Sequence, residues 1–380
     1  MRIAIIYDSL FPVNSGGGER VYRRMAELLI ERGHSVDYLT RLQWGATPPI
    51  AEFSLVPVWR GEIYDRDGSR TVTSALNFGR GVFSTLRKRR NNYDLVISSA
   101  LPVLTLFAAK LALRGARTFL IADWLEVWPW SKWRDYSGWV SGSIAFMLQR
   151  MGVGLAHLNT ADSRFTAERL TKYRPKESPL VHGLVDLVAG DHQVVTPANP
   201  PYILFVGRLI ADKHADVIPG ILQQARTRIP NLTAKIVGQG AEAARVAAEI
   251  ERTGMSNYCT MLGRVSQDEL DELFAEAAVL FNPSEREGFG LVVAEAAAFG
   301  VPSIVVEGSD NAATELISSG INGFIAPSID RYIVAELIND VIAAGASLRD
   351  STKEWFEHSR DSAGLAVSID RMLARYSTPR

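Results

Sequence analysis

Short apolar runs alternate with longer amphipathic stretches along almost the whole chain. Residues 3–7, 36–40, 95–98, 118–121 and 154–159 are runs of the kind that form strands buried on both faces. Pro197, Pro200 and Pro201 then mark a linker, and the alternation restarts, with strands expected over 202–206, 234–237, 258–262, 279–281, 303–306 and 323–325. Strands alternating with helices in each half predict an α/β protein with two doubly wound parallel sheets, each covered by helices on both faces. Residues 41–90 are less regular. The tail, 352–376, is helical by pattern, with Trp355, Phe356, Leu365, Val367, Ile369, Met372 and Leu373 as its apolar positions. With no strand left for it to cover in the second sheet, it is expected to cross back onto the first domain; the other option is a helix on the second. The expected domains are therefore 1–196 with 353–380, and 197–352.

Composition narrows the function classes. The chain has 380 residues, enough for two full cores, and its net charge of −1 argues against a general nucleic-acid binder. One cysteine, Cys259, excludes an intramolecular disulfide and fits a reducing compartment, so a cytoplasmic location is expected. Asp8 comes too early for a signal peptide. The longest uncharged apolar run, 95–109, contains Pro102 and is shorter than the roughly 20 residues that cross a bilayer, so any membrane contact is expected to be peripheral, at the inner face. No two of the six histidines share metal-ligand spacing, and no metal site is expected.

The candidate chemistry centres on residues 283–302. An apolar strand runs into a loop that carries Glu285 and Glu287 with Gly288 and Gly290, and an apolar helix follows, stopped by Gly300 and Pro302. Glycines ahead of a helix let a ligand approach free backbone N–H groups, and the positive end of the helix dipole favours a phosphate. Glu295 lies on the second turn, eight residues after Glu287, so both carboxylates can reach one ligand. Earlier in the same half, Gly207 and Arg208 follow a strand at once and Lys213 comes five residues later, a fork and a point charge suited to a diphosphate. Gly238 and Gly240 follow the next strand, and Gly263, Arg264 and Val265 the one after.

In the first half, Gly16, Gly17 and Gly18 sit where a first loop meets a helix; they are either a flexible turn or a phosphate or sugar site, but not a dinucleotide fingerprint. Asp65-Arg66-Asp67 has the form of a metal–diphosphate motif but reads as a solvated turn, followed as it is by Gly68 and Ser69. Arg87-Lys88-Arg89-Arg90 is a solvated helix end or a contact to anionic lipid. Five of the eight tryptophans fall within residues 124–139, just past a strand, where core packing, sugar stacking and an interfacial belt are all open; Asp123 and Glu126 are the carboxylates nearest that mouth.

Gly207-Arg208-Leu209 with Lys213, and Glu287 to Glu295 inside Glu-Gly-Phe-Gly-Leu and Ala-Phe-Gly-Val-Pro, resemble the retaining glycosyltransferases of family 4. The resemblance implies a GT-B fold, two Rossmann-like domains facing a central cleft, and a nucleoside-diphosphate sugar (UDP, GDP or another base) as co-substrate, with no other cofactor. It implies that Arg208 and Lys213 hold the diphosphate, Glu287 touches the sugar hydroxyls and Glu295 the ribose. The amides around Phe289, Gly290 and Leu291 would meet phosphate and sugar, residues 263–265 the base, and the loop of Gly16 and Gly17 would lie near the donor phosphate and the acceptor. With Asp123, the residues Arg208, Lys213 and Glu287 are the expected catalytic set. The acceptor, on the side of the first domain with Trp124, Glu126 and Trp128 as candidate contacts, is expected to be a carbohydrate or lipid-linked, the donor is expected in the second domain, and an anionic membrane surface is a candidate partner. Three departures stand out: Lys213 is followed by His214 where glycine is frequent; His182-Gly183-Leu184-Val185-Asp186 is one residue longer than the usual Asn-Gly-Val-Asp; and Leu125 stands where relatives place a histidine. The last keeps a donor-binding, catalytically silent subunit open as an alternative, beside a nucleotide-sugar epimerase on the same plan.

Overall fold

The computed structural model describes residues 1–14, 16–64, 70–183, 187 and 192–377; the turn at 65–67 and residues 184–186 of the His182 motif lie outside these. Two units divide the chain, residues 1–183 with 364–380 and residues 184–363.

In the first unit the order is β1 (Arg2–Ile6), α1 (Gly17–Glu31), β2 (Ser35–Arg41), β3 (Ser54–Trp59), α2 (Val72–Arg89), β4 (Leu95–Ser99), α3 (Val103–Ala112), β5 (Phe119–Trp124), α4 (Trp130–Ser137), α5 (Trp139–Val153), β6 (Leu158–Ala161), α6 (Arg164–Tyr173) and β7 (Leu180–Val181). Its strands are parallel, in the order β3-β2-β1-β4-β5-β6-β7. The irregular stretch 41–90 holds β3 and α2. β3 escapes the buried-strand pattern because it pairs only with β2, an edge where Pro57 is tolerated. α2 starts at Thr71, whose side chain accepts from the Ser74 amide. The strand expected over 154–159 begins later, at Leu158, because Gly154 and Leu155 still close the end of α5 through bonds to Met151 and Gly152. The strand expected over 118–121 runs on to Trp124 and so takes Asp123 into the sheet.

The second unit continues with β8 (Tyr202–Val206), two 3-10 turns (Ala211–Lys213 and Ala215–Val217), α7 (Ile218–Ala225), β9 (Thr233–Val237), α8 (Ala243–Arg252), β10 (Cys259–Gly263), α9 (Gln267–Glu276), β11 (Val279–Asn282), β12 (Arg286–Glu287), α10 (Leu291–Ala298), β13 (Ser303–Val306), β14 (Asp310–Asn311), β15 (Gly323–Ala326) and α11 (Arg331–Ala363). Its main sheet has the parallel order β10-β9-β8-β11-β13-β15, while β12 and β14 pair apart from it. The order reverses between β8 and β11, and crevices at such switch points, beyond the carboxyl ends of the strands, are where ligands bind in this architecture. α9 begins with a reciprocal cap between Ser266 and Glu269. The buried Arg349 of α11 donates to the carbonyls of Ala277 at 2.6 Å and Ala275 at 2.9 Å, placing a cation on the end of α9.

α12 (Leu365–Ser377) belongs to the first unit, so the chain does cross back, but later than the expected 353: residues 353–363 continue α11, and Trp355 and Phe356 pack into the second unit's core. Leu365, Ile369 and Met372 are buried, and Arg32 of α1 holds Asp370 through two bonds of 2.5 and 2.9 Å and the Ala366 carbonyl at 2.9 Å. The Ser368 hydroxyl accepts from the Gly183 amide at 2.9 Å.

Candidate functional site

The second unit brings the loops after β8 and β11 together. Arg208 follows β8, is exposed, and has no partner among the described residues. Lys213 ends the first 3-10 turn, and its Nζ lies 2.5 Å from Glu287 Oε1, which also accepts from Asn282 Nδ2 at 3.1 Å. Thus a cation from one strand end and a carboxylate from the neighbouring strand end meet beside the switch point, both largely shielded from water. Arg286 and Asp212, 2.9 Å apart, and the bond from the Glu285 amide to the Asp212 carbonyl, 3.0 Å, clamp the two loops. These clamps, and Asn282, were not foreseen; the polar residue closing an otherwise apolar strand was the available signal.

Gly290 caps α10 with φ +91, and a β-carbon there would stand 2.5 Å from Ala313 Cβ, so only glycine fits the turn. Phe289 and Leu291 flank it half-buried, and Glu295 is buried on the second turn of α10. Gly207 and Gly238 pack the loops after β8 and β9 against each other. A β-carbon on Gly238 would fall 1.8 Å from the Gly207 carbonyl oxygen, and the Gly207 amide donates to Val237 at 3.0 Å. The structure therefore gives Gly238 a close-packing role. Arg264 is exposed and Val265 half-buried beyond β10.

His214 takes a left-handed conformation, φ +47 and ψ +35, a region that favours glycine. His214→Gly is expected to keep the fold and gain about 1 kcal/mol in denaturant unfolding. A less stable variant would show that the 3.5 Å contact from His214 Nε2 to Glu285 Oε2 outweighs the strain.

In the first unit, Gly16 caps α1, and Gly16 and Gly17 are exposed at the positive end of that helix. Gly18 is held close to Tyr7 and Leu125: a β-carbon there would stand 2.7 Å from the Tyr7 hydroxyl and 3.3 Å from Leu125 Cδ1. Leu125 thus lies beside the glycine loop. Asp123 is fully enclosed. Its Oδ2 accepts from Tyr22 Oη at 2.5 Å, and its Oδ1 accepts from Thr160 Oγ1 at 2.5 Å and meets His182 Nε2 at 2.9 Å. This places Asp123 as a group that orders α1, β5, β6 and the turn after β7, rather than one that faces solvent. Trp124 is likewise core, its indole donating to Asn159 at 2.9 Å. Trp128 is half-buried, donates to Glu126 at 2.5 Å and meets Trp133 at a tilt and Tyr136 edge-on, so of the three candidate acceptor contacts only Trp128 and Glu126 reach the surface, where Trp130 and Trp139 are more exposed. Sequence reasoning missed Tyr22 and Thr160 as partners, because they come from segments far apart in the chain. It also missed the ion pair of buried Asp8 with Arg70.

Two carboxyls here are driven in opposite directions. Burial alone would raise the pKa of Asp123, but the His182 ring and the bonds from His182, Thr160 and Tyr22 outweigh it and hold the group below the usual aspartate range. For Asp162, burial first, then the charges of Asp123 and Glu126, push the pKa well above the ordinary 3.8. Its Oδ1 has no hydrogen-bond partner among the described residues. Folded Asp162 keeps a proton that the unfolded chain releases above pH 3.8, so it lowers stability as pH rises from there toward its folded value. Asp162→Asn, isosteric with the neutral acid, is expected to flatten that fall, read from unfolding midpoints across pH. An unchanged slope would mean Asp162 is ionised in the folded protein.

Among the described residues no three His, Cys, Asp or Glu side chains are grouped to hold an ion. No helix among them is long and apolar enough to cross a membrane.

Comparison with known proteins gives this arrangement a family. The family described as glycosyl transferases group 1 matches residues 191–356, and the glycosyl transferase 4-like domain matches residues 16–182. The chain belongs to these family 4 glycosyltransferases, with the two-domain GT-B fold. The UDP-N-acetylglucosamine–peptide N-acetylglucosaminyltransferase GtfA subunit of Streptococcus gordonii is 29% identical over 167 residues, 43% of this chain and 32% of that protein. The GDP-mannose-dependent alpha-(1-6)-phosphatidylinositol monomannoside mannosyltransferase of Mycobacterium tuberculosis is 31% identical over 170 residues, 41% of this chain and 44% of that protein. The chain thus covers less than half the length of either relative. The fold of sucrose-phosphate synthase from Thermosynechococcus elongatus matches over 99% of this chain and 98% of that one, with a TM-score of 0.77 at 18% identity.

Proposed function

We propose that this chain transfers a sugar from a nucleoside-diphosphate sugar to an acceptor hydroxyl, retaining the configuration at the transferred carbon and needing neither metal nor further cofactor. The observation that carries the reading is the meeting of Lys213 and Glu287 at 2.5 Å beside the switch point, with Arg208 exposed on the same loop as Lys213. When the bond from the sugar's anomeric carbon to the diphosphate breaks, negative charge grows on phosphate oxygen. Arg208, Lys213 and the amides at the start of α10 stabilise it there, where stabilisation accelerates the step. Glu287 and Glu295 orient sugar and ribose hydroxyls. The acceptor hydroxyl attacks from the face the diphosphate leaves, and its proton passes to the departing phosphate oxygen, so the anomeric configuration is kept. The two curated relatives, whose names specify a UDP-sugar and a GDP-sugar, support the donor class, and the mannolipid named as acceptor in the second fits a carbohydrate or lipid-linked acceptor.

Proton NMR of the product tests the reading. A linkage of the donor's own anomeric configuration is expected; an inverted product would overturn it. Leu125, lying against the glycine loop, favours one second reading, a donor-binding subunit that is silent alone. Donor binding by thermal shift with no transfer until a partner is added would establish that reading instead. A sugar altered with no acceptor present would point to an epimerase.

A further inference from the structure

Helix α5 is covered on one side, where Gly142, Gln149, Gly152 and Val153 are buried. Its glycines allow close packing: a β-carbon on Gly152 would stand 2.7 Å from Val103 Cγ2 of α3. The other side is apolar too. Trp139, Val140, Ile144, Met147 and Met151 are each between 55% and 68% exposed. At 100° per residue Val140, Ile144, Met147 and Met151 form one stripe along a helix about 22 Å long, with Trp139 to one side at its start. A helix that faces water carries polar residues on that side.

Charge identifies what covers the stripe. α3 packs against both α2 and α5, so the three helices make one layer. They carry Arg80, Arg87, Lys88, Arg89, Lys110 and Arg150 and no aspartate or glutamate, in a chain whose net charge is −1. Helices that return between parallel strands run antiparallel to them, so the carboxyl ends of α2 and α3 bring Arg87, Lys88, Arg89 and Lys110 to one edge of the layer. A cavity of about 590 Å³ opens at that edge, lined by Phe107, Leu111 and Leu155 together with Lys110 and Arg114. At the other end of α5, exposed Trp130 and Tyr136 of α4 stand beside it. Arg89 is paired with Asp37 at 3.4 Å, and the helices of the layer supply no acid of their own. An apolar stripe with aromatics at its margin and an excess of cations is the composition of a helix lying in an anionic interface. A second copy of this chain on the same face would set like charges against each other.

We propose that the α5 face, with the basic ends of α2 and α3, docks this protein on an anionic bilayer surface. The inference is independent of the donor reading. Co-sedimentation with phosphatidylcholine vesicles, with and without phosphatidylglycerol, tests it. Binding to the anionic vesicles is expected, with loss in high salt and on pure phosphatidylcholine. Ile144→Glu combined with Met147→Glu, and separately Lys88→Glu with Lys110→Glu, should each weaken the partition by about tenfold or more. Both doubles change exposed positions and should keep the wild-type unfolding midpoint, which shows that they fold. The proposal is overturned if the wild type ignores anionic vesicles, if it binds neutral ones equally, or if the Ile144 and Met147 double leaves the partition unchanged. A concentration-dependent dimer in sedimentation velocity, abolished by the same double and without vesicle binding, would assign the face to a second copy.

Discussion

Lys213→Ala and Arg208→Ala are each expected to lower kcat for sugar transfer by about 10²–10³, the effect of removing one oxyanion-stabilising donor. Both cations act where charge develops as the diphosphate leaves, so KM for the donor should change less than kcat. The two variants differ in the free protein. Lys213 already neutralises Glu287 at 2.5 Å, whereas Arg208 is exposed with no partner among the described residues. Lys213→Ala therefore leaves a half-buried carboxylate beside Asn282 without its cation and is expected to lower stability as well, while Arg208→Ala should leave the unfolding midpoint where it is. Steady-state kinetics on a nucleotide sugar, paired with thermal unfolding of both variants, checks the assignment. Turnover within a few-fold of wild type in either would remove that residue from the proposed role.

Gly238→Ala is expected to destabilise the second unit by about 3–5 kcal/mol, from steric overlap combined with backbone strain. The methyl group would lie 1.8 Å from the Gly207 carbonyl oxygen, at a residue with φ +140. The obstacle is backbone, so no side chain can turn aside. Relief requires opening the bonds from Gly207 to Val237 and from Leu209 to Gln239, at 3.0 and 2.9 Å, that carry Arg208 between them. Donor binding should weaken along with stability. Denaturant unfolding reads the first effect; a variant as stable as wild type would mean that these loops are not packed as described.

Where the sequence was legible, the cause was burial. β8 and β13, at Tyr202–Val206 and Ser303–Val306, are enclosed parallel strands, and their apolar runs end where the strands end. Elsewhere a competing effect hid the element. β3 is a half-exposed edge strand with Pro57 inside it, so neither a continuous apolar run nor a clean alternation marks it. α5 is apolar on both sides and threaded with glycine, which removes the one-sided periodicity that identifies a helix. The placement of Arg208, Lys213, Glu287 and Gly290 at strand ends could be read from glycine and charge next to apolar runs. The surroundings of Asp123 could not. The carboxylate drew attention as part of an aromatic mouth, but its partners Tyr22, Thr160 and His182 come together only once β5, β6 and β7 lie side by side.

The seating of α12 on α1 has a consequence for how the molecule comes into being. Residues 184–363 form the second unit, yet the first is completed only by the segment from 364 onward. On a ribosome, the amino-terminal sheet emerges early but lacks the helix whose Leu365, Ile369 and Met372 it encloses, and Arg32 has no Asp370 to hold. The second unit, contiguous in sequence, can close during synthesis, while the earlier-made half waits with an apolar patch uncovered until residues 364–377 have followed it off the ribosome.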